Sequence, residues 1–466
     1  MATPLRMSEL TTSELTTPEL ASLAARLSAM PAAVAETENI SRITLLEKLK
    51  GICAAAQARE AAALDESRRA DEAARGIPAA QRGRGVANEI ALARRDGPWH
   101  GSRHLGLARA LVHELPHTMA ALRQGAISEW RATIVCRETA WLPTESRTRV
   151  DELLAPHLLT LGDKALAAKA RALAQSLDPA ETVRHLARAE RERCVTTRPA
   201  PDSMVYLTAL LPMAQGIAAW ANLDRTARAL IGTGEAGQRS RGQVMADTLV
   251  ERLTGQATAS AVPVEVHLVM TDRTLLGGDG ESTSAWLTGH GPLPAAAARD
   301  LLDPRHDHPD PANTIRVWLR RLYENPANGQ LAAMESTRRE FAGNLRRMLV
   351  LRDDTCRTPW CDAPIRHADH ARPHADGGTT SYDNGSGLCA RCNLDKEALG
   401  WRHRATADHL TVTTPTGHTY TTASPPLVRG RVGEVRDHPP NGKAEEYLGA
   451  VVDIQYMNLQ RELRAG

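Results

Sequence analysis

Residues 356–396 read CRTPWCDAPIRHADHARPHADGGTTSYDNGSGLCARCNLDK, and this stretch decides the fold of the C-terminal part of the chain. It contains four of the seven cysteines, arranged as Cys356-x4-Cys361 and Cys389-x2-Cys392. Two short-spaced cysteine pairs separated by a few tens of residues are typical of a closed tetrahedral zinc site. Such a site does no chemistry itself, but bound zinc supplies folding energy to a segment too short to build its own core. The spacing therefore predicts structural zinc.

A second set of polar residues is interleaved with the cysteines and offers harder donor atoms. Asp369 and His370 are adjacent, Asn384 follows a glycine turn, and Asn393 comes directly after the last cysteine. A neutral imidazole with a pKa of about 6.5 can take a proton from water at physiological pH, so we expect His370 to act as a base that Asn384 orients. Carboxylate and amide oxygens suit magnesium or manganese. Asp369 and Asn393 are therefore the expected ligands of a divalent ion.

This set of residues resembles the catalytic motif of the HNH endonuclease family over residues 352–402. The family fold, called ββα-metal, is a hairpin and a helix around one catalytic divalent ion. The resemblance implies that His370 is the general base, that Asn384 orients it, and that Mg²⁺ or Mn²⁺ is held by Asp369 and by the residue after the last cysteine. Many family members have histidine where this chain has Asn393, and members with asparagine there pair it with a preceding Asp-His, as here. That difference shifts the metal preference toward hard ions.

Basic residues near this stretch are candidates for contact with a phosphate backbone. Some belong to an arginine cluster ahead of the first cysteine and others to the expected C-terminal helix: Arg346, Arg347, Arg352, Arg391 and Lys396. The same residues are compatible with solvated helix faces. The formal net charge of the chain is only +2, so a DNA-binding surface must be a local patch. Aromatic residues make up 3% of the chain, which argues against stacking platforms for single strands.

The chain ahead of this stretch is rich in alanine, leucine, arginine and glutamate, and residues 40–200 have helical periodicity. The clearest helix spans Ser41 to Arg75, because apolar residues recur there at the spacing of one helix face. Thr17-Pro18-Glu19 is a start signal for an earlier helix. We expect the charged run 184–198 to be a helix face, with DNA contact as the alternative. Three isolated cysteines are expected to be buried hydrophobic residues: Cys53, Cys136 and Cys194.

From residue 204 onward the pattern indicates strands as well as helices. Residues 204–211 and 262–270 read as strands, and 214–229 and 241–254 read as helices. The segments ELPHTMAALRQGAIS, RGQVMADTLVERLTG and VPVEVHLVMTDRTLLGG resemble the domain of unknown function 222 (DUF222), with the resemblance covering residues 40–300. That domain precedes an HNH module in many actinobacterial proteins, including the 13E12 repeat family. The resemblance implies an architecture and no activity.

These observations predict a mainly α protein with some α+β structure, in which a helical N-terminal domain precedes a small zinc-stabilised ββα-metal (HNH) nuclease module. A hairpin is expected after the module, around Pro415-Thr416-Gly417. The expected order is a disordered or weakly helical segment (1–39), the mostly helical DUF222 domain (40–300), a linker with an amphipathic helix (301–350), the HNH module (351–408), and a hairpin with a flexible tail (409–466).

The expected function is a metal-dependent DNA endonuclease with structural zinc and catalytic Mg²⁺ or Mn²⁺. The alternative is a non-catalytic zinc-stabilised DNA-binding protein with a degenerate HNH site. No apolar run is long enough for a transmembrane helix, and no secretory signal is visible. We therefore expect a cytoplasmic protein without membrane partners, in keeping with reduced cysteines. The N-terminal helical domain could also mediate homo-oligomerisation.

Overall fold

The computed structural model describes residues 15–202, 204–255, 267–271, 284–287, 291–302, 316–323, 341, 343–426 and 450–457. Among the helices of these ranges, none combines the length and the apolar character needed to cross a membrane. The helices are α1 (Thr17–Ser28), α2 (Glu36–Ala74), α3 (Val86–Ala93), α4 (Pro98–His113), α5 (Pro116–Arg123), α6 (Glu129–Thr139), α7 (Thr144–Leu154), α8 (Asp163–Leu177), α9 (Pro179–Arg191), α10 (Met213–Gly232), α11 (Arg241–Thr254), α12 (Ala295–Leu302), α13 (Gly343–Asp353) and α14 (Ala390–Lys396).

The strands of the described ranges form small antiparallel sheets. They are β1 (Cys194–Ala200), β2 (Met204–Leu210), β3 (His267–Thr271), β4 (Ala285–Leu287), β5 (Gly291–Leu293), β6 (Arg316–Tyr323), β7 (His367–His370), β8 (Gly385–Leu388), β9 (Arg402–Ala405), β10 (His409–Thr413), β11 (Thr419–Ala423) and β12 (Ala450–Met457). The sheets have the orders β1-β2, β5-β4-β3-β12-β6, β7-β8 and β11-β10-β9. The predicted fold class, a helical N-terminal part followed by a small ββα module, is confirmed.

One compact unit comprises residues 1–59 and 110–174 and is helical in its described part. A Cβ atom on Gly51 of α2 would lie 2.7 Å from the carbonyl oxygen of Ile127, so this close approach requires glycine. The start of helix α5 is capped by Asp151 of α7. The Asp151 carboxylate accepts hydrogen bonds from the backbone N–H groups of His117 (2.6 Å) and Thr118 (3.1 Å). These bonds satisfy N–H groups that a helix start leaves without partners. The predicted site residues all lie in the other unit.

The second unit comprises residues 60–109 and 175–466, and it contains the ββα module. Helix α13 packs against the hairpin β7–β8, where Leu345, Leu349 and Tyr382 are almost fully buried. Gly385 lies where the hairpin meets this helix, since a Cβ atom there would lie 2.6 Å from a methyl carbon of Leu349. Helix α14 follows β8 directly. The expected hairpin and helix are therefore present.

The sheet β9–β11 follows the module and is anchored by two buried charged residues. Arg357 is 4% exposed and donates hydrogen bonds to the carbonyl oxygen of Thr406 (2.8 Å) and the hydroxyl of Ser424 (2.7 Å). Glu89 of α3 is also 4% exposed, and it accepts a hydrogen bond from the backbone N–H of Thr416 (3.1 Å) in the β10–β11 turn. Because both charges are buried and bonded to the sheet, its two ends are fixed within the second unit.

Several predicted elements are confirmed. Helix α11 has the predicted bounds, and β2 ends one residue before the predicted end at Leu211. Helix α2 covers nearly all of the predicted helix and begins five residues earlier. Helix α1 begins at the predicted Thr-Pro-Glu signal, where Thr16 and Glu19 form a capping box. The hairpin β10–β11 surrounds the predicted turn.

Three expectations are wrong. The charged run 184–198 is not one helix, because α9 ends at Arg191 and β1 begins at Cys194. Cys53 and Cys194 are exposed and Cys136 is half-buried, since helix and strand surfaces outside the core also tolerate a small apolar side chain. Residues 450–457 were expected to be flexible but form β12, which pairs with β3 and β6. Pairing with strands so distant in sequence leaves no local signal.

Other predicted features lie outside the described residues. They are residues 1–14, the first half of the strand 262–270, and most of the predicted linker and amphipathic helix (301–350) ahead of residue 341. These expectations, and the predicted domain boundaries, stay predictions.

Arg352 is buried inside the module, which corrects its expected contact with DNA. The residue is 2% exposed, and its guanidinium pairs with Asp353 at 2.6 Å and donates to the carbonyl oxygens of Tyr382 (2.6 Å) and Gly385 (2.7 Å). Asp353 also accepts a hydrogen bond from the N–H of Gly387 (2.7 Å). The ion pair therefore fastens α13 to the hairpin. Helical periodicity places Arg352 on a helix. It does not show that Arg352 and Asp353 are buried and bonded to each other and to the hairpin backbone.

We expect the substitution Arg352→Met to destabilise the module by about 3–5 kcal/mol, because it removes the closer cation of buried Asp353 and leaves only Arg357 at 3.6 Å. Urea unfolding followed by tryptophan fluorescence measures this change. Arg346→Met, on the same helix but exposed, is the control and should change stability by less than about 0.5 kcal/mol. Unchanged stability in the Arg352 variant together with weaker DNA binding would contradict the assignment and restore a surface role.

Candidate active site and zinc site

The four cysteines of the C-terminal stretch meet in one buried cluster. Their sulfur atoms all lie within 4.8 Å of one another, and Sγ of Cys361 lies 3.9 Å from that of Cys389 and 3.7 Å from that of Cys392. Four sulfurs bound tetrahedrally to zinc at about 2.3 Å are separated by about 3.8 Å. Cys389 caps α14, where its sulfur accepts a hydrogen bond from the N–H of Cys392 (3.3 Å). The cluster therefore fits structural zinc.

The thiols of this cluster influence one another strongly. Hydrogen bonds from the three neighbouring thiols lower the pKa of Cys389, whereas hydrogen bonding within the same cluster raises the pKa of Cys392. Four buried thiolates repel one another and cannot all ionise without a compensating cation. A zinc ion supplies that charge and matches the donor set.

Asp369 and His370 lie on β7, opposite Ser386 and Gly385 of β8. Because successive strand residues point to opposite faces, the two side chains diverge. The His370 residue is 8% exposed, whereas the Asp369 side chain is 28% exposed. Nδ1 of His370 lies 4.0 Å from Oδ1 of Asp369. The strand thus presents a buried imidazole beside an accessible carboxylate.

The imidazole of His370 is held by a hydroxyl and by an aromatic ring. Nε2 lies 2.8 Å from Oγ1 of Thr380, a buried residue, and the ring centroid lies 4.6 Å from that of Phe341. Sequence reasoning missed Thr380, although a hydroxyl residue in the Gly-Gly-Thr-Thr turn was a signal for it. The Thr380 hydroxyl can donate a hydrogen bond to Nε2 or accept one from it, so this contact positions the ring and is compatible with a lone pair on Nδ1.

Asn384 braces the loop that follows His370. Its Oδ1 accepts a hydrogen bond from the N–H of Arg372 (2.8 Å), and its Nδ2 donates to the carbonyl oxygens of Arg372 (3.0 Å) and Thr379 (2.8 Å). Gly378 permits this loop, since a Cβ atom there would lie 1.9 Å from the Arg372 carbonyl oxygen. The amide therefore contacts the loop backbone, whereas we expected it to contact the imidazole. Its role in orienting His370 stays a prediction.

The side chain of Lys396 on α14 is buried, whereas the predicted contact with DNA would require an exposed side chain. Its Nζ lies 2.5 Å from Oδ2 of Asp369 and 2.7 Å from the carbonyl oxygen of His370. The side chain is 5% exposed. This corrects the prediction, because an ammonium buried between these two groups orients the carboxylate and cannot meet a phosphate backbone.

Asn393 lies one turn before Lys396 on α14 and carries an unsatisfied oxygen. Its Oδ1 is buried and has no hydrogen-bond partner among the described residues. Buried polar atoms without partners are costly and rare. Amide and carboxylate oxygens are the donors that hard cations prefer, so the donor types of Asn393 and Asp369 fit Mg²⁺ or Mn²⁺.

The three other predicted DNA contacts lie on α13 and α14. Arg346 is exposed and donates to the carbonyl oxygen of Arg366 (3.2 Å), Arg347 is half-buried, and Arg391 lies 3.6 Å from Asp395. Their contact with DNA stays a prediction.

Two family models match the chain, one after the other. A model described as "Domain of unknown function (DUF222)" matches residues 47–353, which is more than half of the chain. The chain belongs to the DUF222 family. A model described as "HNH endonuclease" matches residues 356–399 of this DUF222 protein, the segment that contains the four cysteines, Asp369, His370, Asn384 and Asn393. No curated protein and no solved structure matches the chain.

The two matches locate the elements described above. The DUF222 match ends at Asp353, so the buried Arg352–Asp353 pair closes that segment and holds the HNH hairpin. The HNH match supports a nuclease or DNA-related function for this DUF222 protein in general. The sheet β9–β11 follows both matched segments.

In this DUF222 protein we expect Cys389→Ser to lose bound zinc and to unfold the HNH module, because the change removes one ligand and the sulfur cap of α14. Zinc content by mass spectrometry and the unfolding midpoint measure both effects. Cys53→Ser, at an exposed position, should leave both unchanged. Full zinc content and an unchanged midpoint in the Cys389 variant would refute the structural role.

Proposed function

We propose that this protein is a metal-dependent DNA endonuclease that hydrolyses phosphodiester bonds and nicks one strand per event. The observation that carries the proposal is the grouping on β7 and α14 of a held imidazole, an accessible carboxylate and a buried amide oxygen without a partner. These are the side chains of His370, Asp369 and Asn393. A purely structural module does not require an accessible carboxylate beside a held imidazole. Their combination supports hydrolysis.

His370 is the general base in this proposal. When Nε2 donates its proton to Oγ1 of Thr380, the lone pair of the ring lies on Nδ1, which can take a proton from water. The water oxygen bonds to phosphorus, and the bond from phosphorus to one bridging oxygen breaks. That oxygen takes a proton from solvent water and leaves as a sugar hydroxyl, and the proton on His370 returns to solvent. Phe341 restricts the ring to this orientation.

Asp369 and Asn393 would hold Mg²⁺ or Mn²⁺. A carboxylate offers about four acceptor positions, so Asp369 can keep its contacts with Lys396 and with the N–H of His370 and still bind a cation. When bound, the cation would stabilise negative charge on the phosphoryl and leaving oxygens. Lys396 keeps the carboxylate in place for this purpose.

We place this activity in the cytoplasm, where thiols stay reduced and available to zinc. One active site cuts one strand, so a double-strand break would need two copies of the chain or two successive visits. The DUF222 part would supply target binding, dimerisation or regulation.

We expect purified protein to nick supercoiled plasmid with Mg²⁺ or Mn²⁺ and not with EDTA. His370→Ala should lower the nicking rate by about 10²–10⁴-fold, the usual contribution of a general base. His367→Ala, an exposed histidine on the same strand, is the matched control and should retain nearly the wild-type rate. Gel densitometry of relaxed plasmid gives the rates.

Two results of that experiment would count against the proposal. Equal nicking by His370→Ala and wild type would exclude His370 as the base. Zinc-loaded, folded wild-type protein that binds DNA but does not cut it, whichever divalent metal is added, would favour the non-catalytic DNA-binding alternative.

A separate test concerns Thr380 as the residue that positions the imidazole. We expect Thr380→Val to lower kcat about tenfold with little change in KM for DNA, because the hydrogen bond that valine cannot form is worth up to about 1.5 kcal/mol. Thr380→Ser keeps the hydroxyl and should restore kcat. If valine and serine variants had the same kcat, the hydroxyl would have no role in catalysis.

A further inference from the structure

The sheet β9–β11 has one inward face and one outward face. Leu410 and Val412 are fully buried with Trp401 on the inward side. The strand register places the alternate residues of the three strands in two outward cross-strand rows. These rows, here called the Arg–Thr face, are Arg404–Thr411–Thr421 and Arg402–Thr413–Thr419.

Every side chain in the two rows of the Arg–Thr face is an arginine or a threonine, so each can donate hydrogen bonds. The hydroxyl oxygens of Thr411 and Thr421 lie 3.2 Å apart, and those of Thr413 and Thr419 lie 3.4 Å apart. Both arginines of the face are exposed, and within the described ranges neither guanidinium forms an ion pair or a hydrogen bond. Exposed arginines with no acidic neighbour across the strand favour an anionic partner.

A groove of about 1070 Å³ lies between this face and the loop that follows His370. Its charged lining consists of four basic and two acidic residues: Arg372, Lys396, Arg402, Arg404, Asp376 and Glu397. Lys396 and Glu397 pair with each other at 3.2 Å, so the remaining balance is positive. Because Lys396 also contacts Asp369, the groove borders the candidate catalytic site.

His403 lies between the two arginines on β9 but adds no charge to the groove. Its position in the register is that of the inward face, opposite Val412. Burial and the nearby Lys396 ammonium lower the pKa of His403 to about 3, so the imidazole is neutral at physiological pH. The positive charge of this wall therefore comes from the arginines.

We propose that the Arg–Thr face binds the phosphodiester backbone of the DNA strand that enters the active site. The inference rests on the proposed nuclease function and adds the surface that holds its substrate. Guanidinium groups bind phosphate oxygens in bidentate fashion, and threonine hydroxyls are common phosphate contacts. The two rows are roughly 6.8 Å apart along the strands, which is comparable to the distance between successive phosphates. The face reads no bases, so this binding is independent of sequence.

The fixed position of the sheet makes it suited to this role. Glu89 holds the β10–β11 turn, and Arg357 holds the β9–β10 turn and the end of β11. A strand bound to the Arg–Thr face is therefore presented to Lys396 and Asp369 at a constant distance. The buried arginine stabilises this wall, and the exposed arginines contact the substrate.

The test uses the full-length, zinc-loaded protein and a labelled duplex in buffer without added Mg²⁺ or Mn²⁺, so that no strand is cut. Fluorescence anisotropy gives the association constant at several KCl concentrations for the wild type and for Arg402→Gln/Arg404→Gln. We expect the double variant to bind roughly tenfold more weakly. The slope of log K against log[KCl] should also become less steep by about 1.8, because each phosphate that the variant no longer neutralises accounts for about 0.9 of the slope.

Arg225→Gln/Arg228→Gln is the control, because it removes two exposed arginines of α10 and changes the net charge equally. Its slope should match that of the wild type. An equal effect of the two double variants, or no effect of the first, would overturn the assignment of the Arg–Thr face. The same result would follow if the wild type bound no duplex at all.

Nicking assays separate this inference from the proposed function. If the wild type and Arg402→Gln/Arg404→Gln nick equally well at subsaturating DNA, the Arg–Thr face does not bind the substrate. The proposed nuclease activity is unaffected by that result. If DNA binding depends on the two arginines but the wild type does not cut DNA with any divalent metal, the proposed nuclease activity is refuted. The Arg–Thr face then remains a DNA-binding surface.

Discussion

Four sulfur atoms held within 4.8 Å of one another are the constraint on which the HNH module depends. They join the segment before β7 to the start of α14, and Cys389 itself caps that helix. The same helix carries Asn393 and Lys396, so the amide oxygen proposed to bind the catalytic ion and the ammonium that contacts Asp369 take their positions from the cysteine cluster. A short module without a large core gains in this way the rigidity that catalysis requires.

Charged residues in the second unit divide into those that hold the fold and those that remain for a partner. Arg352, Arg357 and Lys396 are buried against carboxylates and carbonyl oxygens. Breaking such contacts costs several kcal/mol, since an unpaired charge is left inside. Arg402 and Arg404 lie on the exposed side of a sheet whose other side is apolar. A chain with a net charge near zero can therefore still present a local cationic surface.

The sequence predicts well what is encoded locally. Cysteine spacing located the four-sulfur cluster, the Asp-His pair lies on a strand of the expected hairpin, and apolar periodicity located α2 and α11. The sequence predicts poorly whether an individual charged side chain on a helix is buried or exposed. Arg352 and Lys396 were expected at the surface because their helical positions are clear, but their burial depends on partners 26 to 33 residues away. Glu89 and β12 act through contacts between segments that are distant in sequence, and no spacing rule identifies these contacts.

Manganese binding to the zinc-loaded protein without DNA tests the central claim, a divalent-ion site built from Asp369 and Asn393, most directly. The electron paramagnetic resonance signal of free Mn²⁺ decreases as the ion binds, so a titration gives stoichiometry and affinity. We expect one tight site per chain in the wild type and at least roughly tenfold weaker binding in Asn393→Ala, because the variant lacks the amide oxygen ligand. Zinc content should be the same in both proteins. Equal manganese affinity in the two proteins, or no stoichiometric site in the wild type, would contradict the claim.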